Sequence, residues 1–400
     1  MAESTVPTVL IAGAGIAGLT LAQALKRAGI SFRVFERDPS VTTRSQGYRI
    51  RISEDGAATF KEYLSEELYA KFEKTCAETR LGMSRIDGIS GELVKNPLIG
   101  QNPRMRQFGR PFTVDRMTLR TLLLTGVEDC IEYGKEVKGY TATSTSVTLE
   151  FKDGSSTKGE FLIAADGGRS VIRKQYLPNQ KPVDTEGRCI YGKTPLTPEL
   201  QKQVPDYALQ WITAIVEESC GTPLTLFLEP VRFQNNEFRS ELPEDYVYWV
   251  LLSRKSVFGL SDDEFLRMTH EEAHAFSLKI TAGWHPSLRP LLELQDVQQS
   301  IPLRLSSVTP VIDAWEPSRV TLVGDAAHAM PPTGGRGANT ALRDVAVLAK
   351  RLEEGLTVEK IAEYEQEMRV YAGEAIEISA AGGKSLFGMR PFEELRQVEY

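Results

Sequence analysis

Four hundred residues, 41% of them hydrophobic, suffice for a large buried core, and no apolar run reaches the roughly 18 residues that a membrane span needs. The formal net charge of −7 and the lack of any basic run exclude a general nucleic-acid binder, and the four cysteines, Cys76, Cys130, Cys189 and Cys220, lack zinc-ligand spacing, so no metal is expected. With no basic n-region ahead of MAESTVPTVLIAGAG, the expectation is a cytoplasmic chain with reduced thiols and no membrane partner.

Taken in chain order, residues 7–12 (PTVLIA) read as a short apolar strand. Gly13-Ala14-Gly15-Ile16-Ala17-Gly18 and an amphipathic helix, LTLAQALKRAG, follow, and then a second strand, SFRVFER, that carries Glu36. Strand, G-x-G-x-x-G, helix, strand and an acid about 20 residues on is the order of a dinucleotide site. Gly13 makes the tight turn, Gly15 admits a pyrophosphate, Gly18 lets helix pack on strand, and Glu36 is placed to accept hydrogen bonds from an adenosine ribose. The spacing does not choose between NAD and FAD. No second such fingerprint exists, since GGRGAN lacks the third glycine, so one dinucleotide is held tightly and no separate fold is offered to another.

Residues 112–124 (FTVDRMTLRTLLL) predict a helix with Leu119, Leu122 and Leu123 inward and Arg116 at its start. A cation there gains nothing from the helix dipole, and a nearby phosphate would explain it. FLIAADGGRSVIR (161–173) is a strand ending in Asp166-Gly167, then a helix start with Ser170 and Arg173. Between 183 and 299, the runs CIYGKTPL, ALQWITAIV, TLFLEPVRF and YVYWVLLS lack βα alternation and predict an antiparallel sheet. Tyr191, Trp211, Phe227, Arg232, Tyr248 and Trp249 are its candidates for lining a pocket, although aromatics in strands more often serve the core. The strand RVTLV (319–323) leads into GDAAHAMPPTGGRGAN and a helix whose apolar stripe includes Ala338, Leu342, Val345 and Leu352. Glycines at such a helix start bring unpaired N–H groups close to an anion, or to a ring that becomes anionic.

Together these segments resemble the single-component FAD-dependent aromatic hydroxylases, the group A flavoprotein monooxygenases of the p-hydroxybenzoate hydroxylase fold. The matching pieces are G-x-G-x-x-G with Glu36-Arg37, the R-x-x-G of Arg44 to Gly47, the V-x-R-x-x-L of Val114 to Leu119, Asp166-Gly167, and Gly324-Asp325 with the Pro-Pro/Gly loop, in family order. The resemblance implies an α/β fold with an α+β insert. A discontinuous Rossmann-like FAD-binding domain would take residues 1–74, 105–182 and 300–385, a β-sheet substrate domain 75–104 and 183–299, and a tail 386–400.

The resemblance further implies that Glu36 contacts the adenosine ribose, that Arg37, Arg44, Gly47 and Arg116 lie along FAD, and that Asp166 serves both FAD and NADPH. Asp325 would contact the ribityl-pyrophosphate region, and Pro331 and Pro332 would wall the flavin face. Gly334, Gly335, Gly337, Ala338 and Asn339 would set main-chain N–H groups beside the flavin N1–C2=O edge. His328 falls in the family's structural stretch. Two departures stand out: Arg336 occupies a position where many relatives have Gln, and Tyr48-Arg49 replaces residues that are commonly small.

The activity implied is NADPH-dependent insertion of one atom of O2, through a C4a-hydroperoxyflavin, into an electron-rich aromatic, polyketide, terpenoid or indole alkaloid, by a monomer or homodimer. Fungal tailoring enzymes are the nearest likeness. Epoxidation and Baeyer–Villiger oxidation are alternatives within the same chemistry. Halogenation is disfavoured, since no two of Trp211, Trp249, Trp284 and Trp315 stand in a W-x-W pair. A non-catalytic nucleotide-binding escort is the alternative of another class.

Overall fold

The computed structural model describes residues 9–41, 43, 48–94, 109–218 and 221–398. Arg44, Gly47 and Cys220 therefore lie outside the described residues.

Two sheets organise the chain. The first is five-stranded and parallel, in the order Val320–Leu322, Phe161–Ala164, Val9–Ala12, Phe32–Phe35, Ile131–Glu132. Phe161–Ala164 and Val9–Ala12 at its centre are apolar throughout because helices cover both faces of a parallel sheet. Ile16–Arg27 and Gly337–Glu354 pack together, and the 30-residue helix Val358–Phe387 lies against the latter. The stripe read from the sequence is the buried one: Leu342, Val345, Leu348 and Leu352 are each at most 2% exposed.

The second sheet is seven-stranded. Ile301–Ser307, Val183–Pro195, Tyr246–Arg254, Leu224–Val231 and Ile212–Glu217 pair antiparallel in that order; Met83–Asp87 adds a parallel edge, and Arg396–Gln397 pairs with Val183 and Asp184. The four aromatic runs do form one antiparallel layer. Strand alternation splits its side chains between two cores. Ile190, Leu226, Leu228, Trp249 and Leu251 face a layer of short helices between residues 198 and 293, whereas Cys189, Tyr246, Tyr248, Val250 and Val231 face the nucleotide half of the chain.

Two boundaries differ from the sequence expectation. Ile301–Ser307 was grouped with the nucleotide segments, yet it pairs with Val183–Pro195, through Tyr191 with Ile301 and Cys189 with Leu303. Its partly exposed, alternating pattern IPLRLSS is that of an edge strand. The segment grouped as a tail is likewise tied into the fold, by the Arg396–Gln397 strand.

The small antiparallel ribbon of Arg49–Ile52 and Phe112–Asp115 bridges the two halves. From it Arg49 and Arg51 both reach Glu229, which is 2% exposed, and Asp115 accepts from Lys193 Nζ at 3.1 Å and from Tyr246 Oη at 2.9 Å. Five charged side chains of the ribbon and the large sheet are thus held at one seam, where burial makes each partner's loss costly.

Candidate cofactor and substrate site

In the parallel sheet, Ala12, Ala164 and Leu322 are adjacent strand ends, so the loops that follow them converge at the carboxyl edge. That edge is where open α/β sheets bind ligands. Gly13 has φ +106°, and a Cβ on it would collide with the Ala165 carbonyl oxygen; a Cβ on Gly18 would strike the Gly13 carbonyl oxygen. These two glycines are required by the fold. Gly15 is different. It is the N-cap of Ile16–Arg27, no side chain caps that helix, and a Cβ there would meet nothing within 4 Å. The space over Gly15 is open and is lined by helix-start N–H groups.

Glu36 braces this turn from the second strand. Its Oε2 accepts from Ala14 N at 2.8 Å and its Oε1 from Asp38 N at 3.0 Å, while Arg120 donates through Nε to the Ala14 carbonyl at 3.0 Å. Arg37 beside it is exposed. Asp166 sits directly across the turn, since a Gly13 side chain would also crowd its Cα. Its Oδ2 accepts from Val171 N at 3.0 Å and its Oδ1 is buried with no hydrogen-bond partner. Burial raises its carboxyl above the ordinary range, opposed by hydrogen bonds from Ser170 and nearby N–H groups.

The third loop starts at Gly324, with φ +61°, and Asp325 opens a single helical turn to His328. Among the described residues no hydrogen bond or ion pair reaches the Asp325 carboxylate, which is exposed at the edge cleft. The protein mass around it still raises its pKa, against the charges of His328, Arg116 and Arg173. Arg173, 1% exposed, ties this loop to the Asp166 loop: it donates to the Gly168 carbonyl at 2.7 Å and to the Ala326 carbonyl at 3.1 Å.

His328 faces inward. Its Nε2 lies 2.6 Å from Asp344 Oδ2, which also accepts from Gly324 N at 2.6 Å, and Tyr371 Oη donates to Asp344 Oδ1 at 2.7 Å. Burial lowers the imidazole's pKa, but the Asp344 charge and hydrogen bond outweigh it and the net shift is upward. Both residues are 0% exposed, so the pair shapes the turn and does not meet solutes.

The Pro331–Asn339 stretch is held from two sides. Thr333 Oγ1 donates to the Ser379 carbonyl at 2.6 Å, and Asn339 bonds Arg51 O, Gly335 O and Ser53 N through its side chain. The Asn339 amide is therefore spent on structure, which leaves main-chain N–H groups to serve a ligand. Pro331 is buried, whereas Pro332 and Gly335 are exposed at the cleft and Gly334, Gly337 and Ala338 are half-buried.

At the Ile301–Ser307 edge of the large sheet lies a small cavity of about 20 Å³ lined by Tyr48, Tyr191, Gly192, Lys193, Gln299, Ile301 and Leu303. Tyr191 on its wall neighbours Tyr248, which does not itself line the pocket, with ring centroids 6.0 Å apart, and the Arg49 guanidinium lies over the Tyr248 ring. Trp211 and Arg232 stand elsewhere. Trp211 donates to Ser84 at the far edge of the sheet, and Arg232 donates to the Leu209 carbonyl at 3.1 Å. Phe227 is half-buried against the same core as Tyr191 but is not among the residues that line the pocket. Trp249 is corrected from pocket to core: the alternation turns it to the helix-covered face, where it is 0% exposed and donates to Thr194 Oγ1. Asp115, Glu229 and Asp344 were missed by sequence reasoning. Only Asp115 carried a signal, as an acid directly before a helix start, and it does cap Met117 N and Thr118 N.

These features fit a flavin dinucleotide: an open cradle over Gly15, an orphaned buried carboxylate oxygen on Asp166, and the unpartnered Asp325 carboxylate aimed into the same cleft. Residues 11–71 match the model of an NAD(P)-binding Rossmann-like domain and residues 284–379 that of an FAD-binding domain. A dual O-methyltransferase/FAD-dependent monooxygenase of Phaeosphaeria nodorum is 42% identical over 98% of this chain and 47% of its own length, and one of Cercospora beticola is 43% identical over 96% and 46%. Over nearly its whole length the chain is similar to FAD-dependent monooxygenases. It spans about half the length of these relatives.

Among solved structures, an FAD-containing monooxygenase of Photorhabdus luminescens superposes with a TM-score of 0.80 at 28% identity, covering 95% of this chain and 98% of the other. Klebsiella pneumoniae HpxO, solved with FAD and uric acid, has a TM-score of 0.75 at 24% identity, covering 95% and 89%, and shows the shared fold. The FAD-binding domain match over residues 284–379 assigns FAD as the cofactor. Among the described residues no cluster of metal ligands occurs and no helix is long and apolar enough to cross a membrane.

Proposed function

We propose that the chain is an NADPH-consuming, FAD-dependent monooxygenase that inserts one oxygen atom into an electron-rich ring of an aromatic natural product. The observation that carries this reading is that Arg116, whose charge reaches Asp325 in the cleft, also lies over the ring of Tyr48, which packs on Tyr191 in the wall of the pocket. The chemistry supplied by FAD when bound is acceptance of a hydride from NADPH and activation of O2.

The residues of the chain bind, orient and exclude. N–H groups at the start of Ile16–Arg27 receive the pyrophosphate, with no side chain competing for them. Asp325 accepts hydrogen bonds from ribityl hydroxyls and Asp166 from the adjoining edge, each relieved of an unpaired carboxylate by doing so. Arg116, at a helix start beside Asp325, balances the charge of the phosphates. The helix start at Gly337 turns main-chain N–H groups toward the ring edge that becomes negative on reduction. Tyr48 and Tyr191 hold an aromatic ring against apolar Ile301 and Leu303 and keep water from it. NADPH, lacking a second fingerprint, binds transiently in the open cleft.

Measuring flavin content, then NADPH oxidation and incorporation of labelled O2 across a panel of phenolic, polyketide and indole compounds, tests the reading. A chain that takes up no FAD, or whose NADPH oxidation no compound accelerates, refutes it. Ring hydroxylation in place of epoxidation or Baeyer–Villiger oxidation is favoured by the aromatic wall, and the labelled product distinguishes the three.

A further inference from the structure

The direction of the Asp325 carboxylate is set by the main chain on either side of its Cα. Before it, the Gly324 carbonyl accepts from Ala327 N and His328 N, each at 2.9 Å. After it, Arg173 donates to the Ala326 carbonyl at 3.1 Å. Gly324 has φ +61°, and a Cβ there would stand 3.3 Å from Ala341 Cβ and 3.4 Å from Ala17 Cβ, so the turn is packed between the helices Ile16–Arg27 and Gly337–Glu354. With no side chain on Gly324 and its carbonyl spent inside the turn, its N–H is the group by which a neighbour can hold the start of the turn.

Asp344 holds it. This residue lies about two turns into Gly337–Glu354 and is 0% exposed. Its Oδ2 accepts from Gly324 N at 2.6 Å and lies 2.6 Å from His328 Nε2, so one oxygen grips both ends of the turn, residues 324 and 328. Its Oδ1 accepts from Tyr371 Oη at 2.7 Å, which ties the same carboxylate to Val358–Phe387. A carboxylate with no access to water is stable only while donors meet its lone pairs, and hydrogen bonds to a charged acceptor are stronger than neutral ones. Displacing the turn would leave this buried carboxylate short of donors, so the carboxylate resists the displacement.

We propose that Asp344 is a positioning residue of the cofactor site: without touching the cofactor, it fastens the Gly324–His328 turn to the Gly337–Glu354 helix, so that Asp325 and the start of that helix meet one ligand in fixed register. The ligand is one that offers hydroxyl donors to Asp325 and an acceptor edge to the helix start, as the ribityl chain and ring of a flavin do. Once the turn is unfastened, the Asp325 carboxylate no longer points at the ribityl hydroxyls, and the loss in binding is felt through Asp325. The inference rests on the functional reading above for the placement of Asp325 against FAD.

The test titrates the flavin-stripped protein with FAD, read by flavin fluorescence, for the wild type, Asp344→Ala, Asp325→Ala and the double variant. Asp344→Ala should weaken FAD binding by about tenfold where Asp325 is present, and by less than about twofold once residue 325 is alanine, because coupled residues are not additive. Asp344→Asn, whose amide oxygen still accepts from Gly324 N, should recover most of the loss. Tyr371→Phe removes a donor from the same carboxylate on the side away from the turn, and should lower thermal stability while FAD affinity stays within about twofold of wild type. Should Asp344→Ala not fold, His328→Ala cuts one of the two grips on the turn and enters the same cycle with the same expected pattern. Losses of equal size in both backgrounds, a loss in Tyr371→Phe as large as that in Asp344→Ala, or wild-type affinity in Asp344→Ala overturns the positioning role. A wild-type chain that binds no FAD is a different failure, one that removes the functional reading and this inference with it.

Discussion

At the scale of single residues, the glycines of the first loop separate fold from function. Gly15→Val adds a side chain into open space, so the variant should fold and melt like the wild type yet purify without yellow colour. Gly18→Val places a side chain against the Gly13 carbonyl and should lower folding stability before any cofactor is considered. Circular dichroism melts beside flavin absorbance distinguish the two, and a yellow Gly15→Val protein would overturn the placement of the pyrophosphate. Asp325→Ala, which removes a carboxylate that no protein group pairs, should weaken FAD binding by roughly 1.5–3 kcal/mol, about 10- to 150-fold, with the fold intact. A variant with normal FAD affinity but lowered stability would make Asp325 a turn residue.

At the scale of elements, the contact of the helix Val358–Phe387 with the strand Val320–Leu322 carries a titratable group that the proposed chemistry does not use. Glu365 is 1% exposed, its Oε1 accepts from Thr321 Oγ1 at 2.8 Å, and its Oε2 has no partner. Burial lifts its pKa to about 7, against the hydrogen bond from Thr321 and the charge of Arg369. A carboxyl raised in the folded state keeps its proton there while the unfolded chain loses it. Stability therefore falls as pH climbs from the ordinary carboxylate range to about 7 and stays reduced above it. Glu365→Gln retains an acceptor for Thr321 and avoids the buried charge. Its stability advantage over wild type in urea unfolding should grow across that window to on the order of 3 kcal/mol and then level off. A difference that does not change with pH would place the proton elsewhere. At the seam between the halves, Glu229→Gln would leave Arg49 and Arg51 buried without their shared anion, and a loss of about 3–5 kcal/mol in the same unfolding measurement is expected.

For the whole molecule, the proposed FAD site draws on loops from three separated parts of the chain, after Ala12, Ala164 and Leu322, whose strands are neighbours in one sheet. A ligand that binds only the folded form stabilises it by about 2.7 kcal/mol at a hundred times its dissociation constant. The thermal midpoint of the apoprotein should accordingly rise with FAD concentration, and much less so for Asp325→Ala at the same concentration. An apoprotein whose midpoint is indifferent to FAD would mean that the cleft does not hold it.

What the sequence alone determined was local. The strand, glycine turn, helix and Glu36 of the first loop, the apolar stripe of Gly337–Glu354 and the antiparallel layer of aromatic strands were legible because each is written in consecutive residues by spacing or alternation. The tertiary structure decided what lies far apart in the chain. Strand alternation makes neighbours such as Tyr248 and Trp249 face opposite cores, and only the helices packed on one side reveal which face meets the pocket. Arg49, Arg51 and Glu229 were unremarked as a set because 178 residues separate Arg51 from Glu229, and burial turns that distant pair into a clamp. Periodicity records which residues leave water, whereas the partner that each one meets is fixed by long-range pairing of sheets, which no local pattern encodes.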